Sequence, residues 1–160
     1  MFDIRIGQSR DIHRLDDNKR KFIVGGVIIP HTLGPVSHSD GDCLYHAIAE
    51  SLLGALALGD LGKHFPDNTD EYLDYDSSLI VKSVMEMVKE KGYIVKNIDC
   101  SIILERPKLA PHIDAIRNNV ASLLEIEIDR VSIKAQTNEK CGEIGQGKAI
   151  ECTSIVLLVK

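Results

Sequence analysis

Apolar and polar residues alternate at the start of the chain, where Ile4 and Ile6 flank Arg5. This period of two predicts a β-strand. A second β-rich segment contains Gly25-Gly26, which indicates a bulge or a close approach of two backbones. The polar residues between these segments predict a loop or hairpin tip over residues 15–21. The segment with the two glycines covers residues 22–29, and further strands are predicted for residues 98–104, 130–136 and 149–159.

Three other segments place apolar residues three and four positions apart, as one face of a helix requires. The first helix follows Ser39, Asp40 and Asp42, which supply N-cap chemistry, and its apolar face runs over residues 44–56. The second is predicted to be capped by Ser77 or Ser78 and to stop at Gly92, and the third covers residues 112–124. Strands and helices are mixed without strict alternation. We therefore expect a single α+β domain over residues 1–160, with one sheet and helices packed on one face.

Composition narrows the classes of function. Hydrophobic residues make up 44% of the 160 residues, and the net charge is −5. An acidic chain with few aromatic residues argues against nucleic-acid binding. The four cysteines form no CxxC pair, so we expect reduced thiols without a cysteine zinc site or disulfide framework. The chain opens without a secretory signal, and its apolar runs are too short for a bilayer, which predicts a cytoplasmic protein without a membrane partner.

Two histidine-containing segments could carry chemistry. Asp11 and His13 are two positions apart and share a face of an extended strand, where a carboxylate and an imidazole can begin a zinc site. His38 precedes the first predicted helix, and His46 lies in its first turns. A helix N-terminus after a small, glycine-containing loop favours an anion such as phosphate. A capped helix with a surface histidine explains the same spacing, so both interpretations stay open.

Thr137-Asn138-Glu139-Lys140 follows a predicted strand, and Gly142, Gly145 and Gly147 come soon after. Such segments form sites or ordinary turns. Lys108 either binds phosphate or is solvated. The chain has no Walker A sequence and no GxGxxG, so it offers no support for those routes to nucleotide binding.

Taken together, these segments are similar to the 2-C-methyl-D-erythritol 2,4-cyclodiphosphate synthase family of the non-mevalonate isoprenoid pathway. The resemblance covers nearly the whole chain. Six motifs occur in the family's order: RIG and DIHR over residues 5–14, GGVIIP over 25–30, HSDGD with His46 over 38–46, LGDLGKHFPD over 58–67, RPKLAPHI over 106–113 and KAQTNEK over 134–140.

The resemblance implies a ferredoxin-like or chorismate-mutase-like subunit that assembles into a homotrimer with active sites between subunits. It implies conversion of 4-diphosphocytidyl-2-C-methyl-D-erythritol 2-phosphate to the cyclic diphosphate with release of CMP. The small-molecule partner is thus a cytidine diphosphate substrate. The implied cofactors are one Zn²⁺ per subunit and a second divalent cation, Mg²⁺ or Mn²⁺.

Site residues follow from the resemblance by position. Asp11, His13 and His46 match zinc ligands, Glu139 matches the ligand of the second cation, and His38 and Thr137 match groups that stabilise the transition state. The implied substrate contacts are Asp11, His13, His38, Ser39, Asp60, Leu61, Gly62, Phe65, Pro66, Asp67, Asn68, Thr69, Leu104, Glu105, Arg106, Pro107, Lys108, Leu109, Ala110, Gln136, Thr137, Asn138 and Glu139.

Two other functions stay open. The first is a zinc-dependent hydrolase of a phosphoester or nucleotide, in which the same three ligands would hold a zinc-bound water. The second is a metal-binding or assembly module without catalysis. Within the resemblance, Arg10, Glu143 and Gln146 depart from the residues that commonly surround an isoprenoid cavity on the trimer axis. Binding of an isoprenoid is therefore not expected here.

Overall fold

The structure is a computed structural model that describes residues 3–66 and 74–160. Its strands are β1 Ile4–Asp16, β2 Phe22–Val24, β3 Val27–Ile29, β4 Gly34–Pro35, β5 Ile94–Ile103, β6 Val131–Gln136 and β7 Ala149–Val159. Its α-helices are α1 Cys43–Ala55, α2 Leu61–His64, α3 Ser77–Glu90, α4 Ile113–Leu124 and α5 Gly142–Gly145. A five-stranded sheet runs in the order β4-β1-β7-β5-β6, with only β5 and β6 parallel. The α+β class is confirmed.

The core lies between the sheet and the helices. Buried side chains of α1, α3 and α4 pack in one cluster with those of β5, β6 and β7. α1 approaches the sheet closely because β1 carries Gly7 below it: a Cβ there would lie 1.8 Å from the carbonyl oxygen of Ser51. Beside this contact, the hydroxyls of Ser51 and Ser154 are hydrogen-bonded at 2.9 Å. The C-terminal half of α1 is thereby held directly over the sheet.

The opposite face of the sheet has no helix over it among the described residues. Ile4 and Ile6 on β1 are 60% and 68% exposed, and Ile155 on the adjacent β7 is 49% exposed. The alternation that predicted the first strand therefore places its isoleucines on the open face. Residues of the opposite parity, such as His13 and Leu15, point to the core.

The structure differs from the sequence-based expectations around residues 15–29. β1 continues to Asp16, inside the expected loop, and the single strand expected over residues 22–29 is a hairpin. Gly25 and Gly26 have φ values of 57° and 71°, so they form the tight turn between β2 and β3. The predictions of a bulge and of a close backbone approach were thus wrong: the neighbours of Gly25 are side chains, and a Cβ there would lie 2.5 Å from Ile116 Cγ2.

The helix starts were predicted with mixed success. Asp42 caps α1 as expected, since its side chain accepts the backbone N–H of Tyr45. α3 is capped by Asp76 rather than by Ser77 or Ser78. The short helices α2 and α5 were not predicted. Cys43, Cys100 and Cys152 are buried free thiols and Cys141 is exposed. None of the helices in the described ranges has the length and apolarity that a membrane crossing requires.

Candidate active site

Asp11, His13 and His46 meet where β1 passes beneath the first turn of α1. Side chains two positions apart share a strand face, so Asp11 and His13 both point toward the helices. Asp11 Oδ2 lies 3.0 Å from His13 Nε2 and 3.3 Å from His46 Nδ1. The two imidazole rings meet edge to face with centroids 5.1 Å apart. The three residues predicted as zinc ligands are therefore neighbours.

The donor set of this group fits a divalent cation. His13 Nδ1 is 3.0 Å from the carbonyl oxygen of Gly41, which can only accept, so Nδ1 carries a proton and Nε2 is the nitrogen that a neutral His13 would offer to a cation. Asp11 Oδ2 is buried without a hydrogen-bond partner among the described residues. Tetrahedral zinc separates neighbouring nitrogen and oxygen ligands by about 3.3 Å. This is close to the distance from Asp11 to each imidazole.

Asp11 and His13 stabilise each other's charged forms. Burial alone would raise the pKa of Asp11, but the adjacent imidazoles of His13 and His46 outweigh it and hold that pKa well below its usual range. Burial likewise opposes the charge on His13, yet the Asp11 carboxylate outweighs it and raises the pKa of His13. A carboxylate that stays ionised in a buried position is suited to a cation.

Cys43 is a competing ligand for the same place. Ligand atoms of Asp11, His13 and Cys43 all lie within 4.8 Å of one another. The Cys43 thiol, however, donates to the carbonyl oxygens of Asp11 and Ile150 at 3.4 and 3.8 Å. Burial also raises the pKa of this thiol, which disfavours the thiolate that binds metal. These hydrogen bonds and the raised pKa disfavour Cys43 as a ligand, although the group of ligand atoms within 4.8 Å contains Cys43 and not His46.

His38 lies in the loop between β4 and α1, and Arg20 holds that loop. The Arg20 guanidinium donates to the carbonyl oxygens of Ser37, at 2.6 Å, and of Ser39. It also pairs with Asp74 at 2.8 Å, and the backbone N–H of Asp74 donates to the His38 carbonyl oxygen. The backbone on both sides of His38 is thus anchored, a role for Arg20 that the sequence did not indicate.

A cavity of about 280 Å³ opens beside His46, and neither Asp11 nor His13 is among its lining residues. The predicted site residues that line it are His38, Ser39, His46, Leu61, Gly62 and Phe65. Asp60 does not line it; its carboxylate instead caps α2 by accepting the backbone N–H of Lys63 at 3.0 Å. Pro66 ends the described range, and the predicted contacts Asp67, Asn68 and Thr69 lie outside the described residues.

A second cavity of about 280 Å³ lies at the opposite edge of the sheet. Most of the remaining predicted contacts line it, namely Leu104, Glu105, Pro107, Lys108, Leu109, Ala110, Gln136 and Thr137. Arg106 is directed elsewhere, since its guanidinium packs over Gly147 and donates to the carbonyl oxygen of Gln146. Apolar groups form most of the cavity lining, which also includes Lys108. This combination suits a nucleobase joined to a phosphate.

Thr137, Asn138 and Glu139 follow β6 as a turn at the rim of this second cavity. The Thr137 hydroxyl donates to Glu139 Oε1 at 2.8 Å. The Glu105 carboxylate accepts the backbone N–H of Asn138 at 3.2 Å. Glu139 adopts a left-handed backbone with φ of 49°, and the side chains of Thr137 and Glu139 are exposed. A hydroxyl and a carboxylate are therefore presented to solvent together.

The two groups of site residues are far apart within one chain. Asp11 is paired with Cys152, Cys152 with Ile102, and Ile102 with Ala135. Three strand spacings separate the ends of this row, about 14 Å at the usual distance between strands. A single chain therefore does not place Thr137 and Glu139 beside the three predicted zinc ligands.

Comparisons with known proteins show which proteins this chain is similar to. Residues 4–159 match the YgbB family. The chain is 49% identical over 156 residues, 98% of each chain, to a protein of Geobacillus sp. (strain WCH70) named 2-C-methyl-D-erythritol 2,4-cyclodiphosphate synthase. A Fusobacterium nucleatum protein of the same name is 45% identical over 157 residues, again 98% of each chain.

Solved structures give the same result. A Plasmodium falciparum IspF in complex with CDP is 37% identical with a TM-score of 0.85, covering 98% of this chain and 96% of that one. The bifunctional IspDF of Campylobacter jejuni is 34% identical with a TM-score of 0.94, and the match covers 99% of this chain and 43% of that one. The similarity thus extends over the full described fold.

Proposed function

The chain belongs to the YgbB family, and from that premise we propose that it converts 4-diphosphocytidyl-2-C-methyl-D-erythritol 2-phosphate to 2-C-methyl-D-erythritol 2,4-cyclodiphosphate and CMP. The observation that carries this proposal is the near-full-length similarity to relatives that bear the synthase's name. The enzyme class predicted from the sequence motifs is thereby confirmed. The reaction belongs to the biosynthesis of isoprenoid precursors.

The reaction is an intramolecular phosphoryl transfer. The 2-phosphate oxygen attacks the β-phosphorus, a new phosphorus–oxygen bond closes the ring, and the bond to CMP breaks. Such a step needs alignment of the two phosphates and neutralisation of their charge more than it needs a protein nucleophile. The residues at the site supply donors and cation ligands rather than an activated nucleophile, which suits this chemistry.

Asp11, His13 and His46 would hold Zn²⁺, one per subunit, and Glu139 would hold a second divalent cation, Mg²⁺ or Mn²⁺. A cation held there would act as a Lewis acid on phosphate oxygens. His38, whose backbone Arg20 anchors, would donate to a phosphate oxygen as negative charge develops. The Thr137 hydroxyl would exchange its present acceptor, Glu139, for a phosphate. Ser39 lines the same cavity as His38 and would bind the same phosphates.

The nucleotide would lie along the second cavity. Residues 104–110 would surround the cytosine, with Lys108 near a phosphate and Gln136 in the cavity lining. Asp60 and Gly62 would contact the ribose, and Leu61 with Phe65, Pro66 and residues 67–69 would enclose the methylerythritol. The P. falciparum relative is described as a CDP complex, which supports a cytidine diphosphate as the ligand.

A homotrimer would bring the two groups of residues together. The helix-free sheet face carries Ile4, Ile6, Ile12 and Ile155, all well exposed. Exposed apolar patches of this kind mark association surfaces. Association through that face in C3 symmetry would set the Thr137–Glu139 turn of one copy beside the zinc ligands of the next. On the same face Arg10 forms an ion pair with Glu151 at 2.7 Å, so the face carries charged groups beside the isoleucines. The cytoplasmic location stays a prediction.

Product analysis tests the proposal. The purified protein is incubated with the full substrate and Zn²⁺ plus Mg²⁺, and its products are separated by mass spectrometry. We expect cyclic diphosphate and CMP in equal amounts. Linear hydrolysis products would favour the hydrolase instead, and absence of turnover by zinc-loaded protein would favour a binding module. Light scattering on the same sample should give three times 17.7 kDa.

A further inference from the structure

A hydrogen-bonded chain lies behind His46, on the side of its ring that faces away from Asp11. His46 Nε2 is 3.0 Å from the Ser77 hydroxyl, and that hydroxyl is 2.5 Å from Asp40 Oδ1. Ser77 is fully buried at the start of α3. Neither Ser77 nor Asp40 has a role in the reaction as derived above.

The direction in which these hydrogen bonds donate follows from Asp40. A carboxylate only accepts hydrogen bonds, and Asp40 already accepts the backbone N–H groups of Asp42 and Ser77, each at 3.1 Å. The Ser77 hydroxyl must therefore donate its proton to Asp40. Its oxygen then faces His46 as an acceptor, which requires the proton of the neutral imidazole to lie on Nε2. The lone pair of His46 is thereby left on Nδ1, the atom that faces Asp11 Oδ2.

Ser39 also contacts His46 and does not reverse this polarity. Its hydroxyl oxygen is 3.0 Å from His46 Nε2 and accepts the backbone N–H of Gly41. Its proton can go to the Ser37 hydroxyl, 3.3 Å away, so that both serine oxygens share the Nε2 proton. Ser39 could instead donate to an unprotonated Nε2. The Ser77 oxygen, whose proton goes to Asp40, would then face a nitrogen lone pair at 3.0 Å. That arrangement is repulsive.

We propose that Ser77 and Asp40 are positioning residues that hold His46 in the tautomer with Nδ1 free for a divalent cation. The backbone carbonyl of Gly41 does the same for His13, so in each neutral imidazole the nitrogen nearest Asp11 Oδ2 is left as an acceptor. This inference rests on the proposed zinc site. It also gives the start of α3 a function, because α3 supplies the hydroxyl that selects the tautomer.

Ser77→Ala tests the relay, meaning the hydrogen bonds that run from His46 through Ser77 to Asp40. The substitution removes the Ser77 hydroxyl and keeps its Cβ. Zinc affinity is measured by competition with a chromophoric chelator. The His46 tautomer of metal-free protein is measured by ¹⁵N NMR. We expect a loss of zinc affinity of about 10- to 100-fold, as outer partners of metal-bound histidines typically contribute. We also expect His46 to populate both tautomers in the variant and the Nε2–H form in the wild type.

Ser51→Ala is the matched control, since Ser51 is equally buried but faces Ser154 instead of a histidine. It should lower stability comparably and leave zinc affinity and the His46 tautomer unchanged. Equal zinc affinity in Ser77→Ala and wild type would overturn the relay alone. A wild type that binds no zinc would overturn the proposed zinc site, and an Nδ1–H tautomer of wild-type His46 would overturn the relay whether or not Ser77→Ala folds.

Discussion

The two groups of site residues are built in opposite ways. Asp11, His13 and His46 are largely enclosed between β1 and α1, and each imidazole is oriented by a hydrogen bond on its far side. Thr137 and Glu139 stand exposed on a turn after β6, and their main side-chain contact is with each other. One group is complete without another chain, whereas the other presents donors to a surface that its own chain does not provide.

The difference indicates a division of labour. Enclosed acceptors around a cation site cost nothing to reorganise when a phosphate arrives, which is the advantage of a preorganised site. In the proposed homotrimer, the exposed turn would gain its geometry when a second copy covers it. The enclosed group should therefore govern metal content, and the exposed group should govern turnover after assembly.

Loss of a ligand from the enclosed group should have the largest effect. His46→Ala removes one of three donors and should abolish zinc binding and nearly all CMP release, because a two-ligand site holds zinc poorly. Zinc content by mass spectrometry, circular dichroism and turnover are measured together. His112→Ala is the control, since His112 makes no side-chain cap bond at the start of α4. A folded His46→Ala protein with full zinc would contradict the ligand assignment.

Mixing two inactive variants tests the comparison directly. His46→Ala retains an intact Thr137 turn, and Thr137→Ala retains an intact set of zinc ligands. Coexpression with two different tags yields mixed trimers, in which one of the three shared sites, about a third, combines two intact halves. Purified mixed trimers should thus recover about a third of wild-type turnover. If every site lay within one chain, the mixed trimers would be no more active than the two parents.

The sequence predicted what depends on local spacing. The period of two placed Asp11 and His13 on one face, and Asp42 was recognised as part of the cap of α1. Residues 149–159 form β7 as predicted. These features depend on a few neighbouring residues, so periodicity and capping chemistry are sufficient to find them.

The sequence did not predict what depends on distant packing. Ser77 lies 31 residues from His46 and 37 from Asp40, and it looked like a helix cap. Its true neighbours are set by how α3 packs beside α1. The open sheet face was equally hidden, because alternation does not tell which side of a strand the helices cover. The zinc ligands and Thr137 were proposed from family motifs, since spacing alone left a plain capped helix and an ordinary turn open.

Thr137→Ala should have a smaller effect that is confined to turnover. The hydroxyl is assigned to charge that develops as the ring closes, so its removal lowers turnover more than ground-state affinity. One such donor is worth about 3 kcal/mol, or about 100-fold in rate. Zinc content, trimer mass and CDP affinity should stay at wild-type values in the same preparation. Unchanged turnover per folded subunit would reduce Thr137 to a residue that ends a strand.

Asp42→Asn should have the smallest effect, and that effect should be on stability. Asp42 caps α1, the helix that carries His46. The buried Asp42 carboxylate accepts backbone N–H groups of Gly25, Gly26 and Tyr45 at 2.9, 2.7 and 3.1 Å. An amide can replace only one of the two accepting oxygens. The variant should therefore lose about 1–3 kcal/mol of unfolding free energy through an unsatisfied N–H group.

The dependence of this loss on pH sharpens the test. Burial raises the pKa of Asp42 to about 6, above the value of about 3.9 expected in the unfolded chain. Between these values the folded state binds the proton more tightly, so Asp42 contributes stability at low pH that is lost as pH rises from about 4 to 6. The advantage of wild type over Asp42→Asn in denaturant unfolding should shrink across that window, because titrations common to both proteins cancel. Asp129→Asn, at an exposed position, should follow the wild type at every pH. A constant gap between wild type and Asp42→Asn from pH 4 to 7 would mean that Asp42 keeps an ordinary pKa in the folded protein.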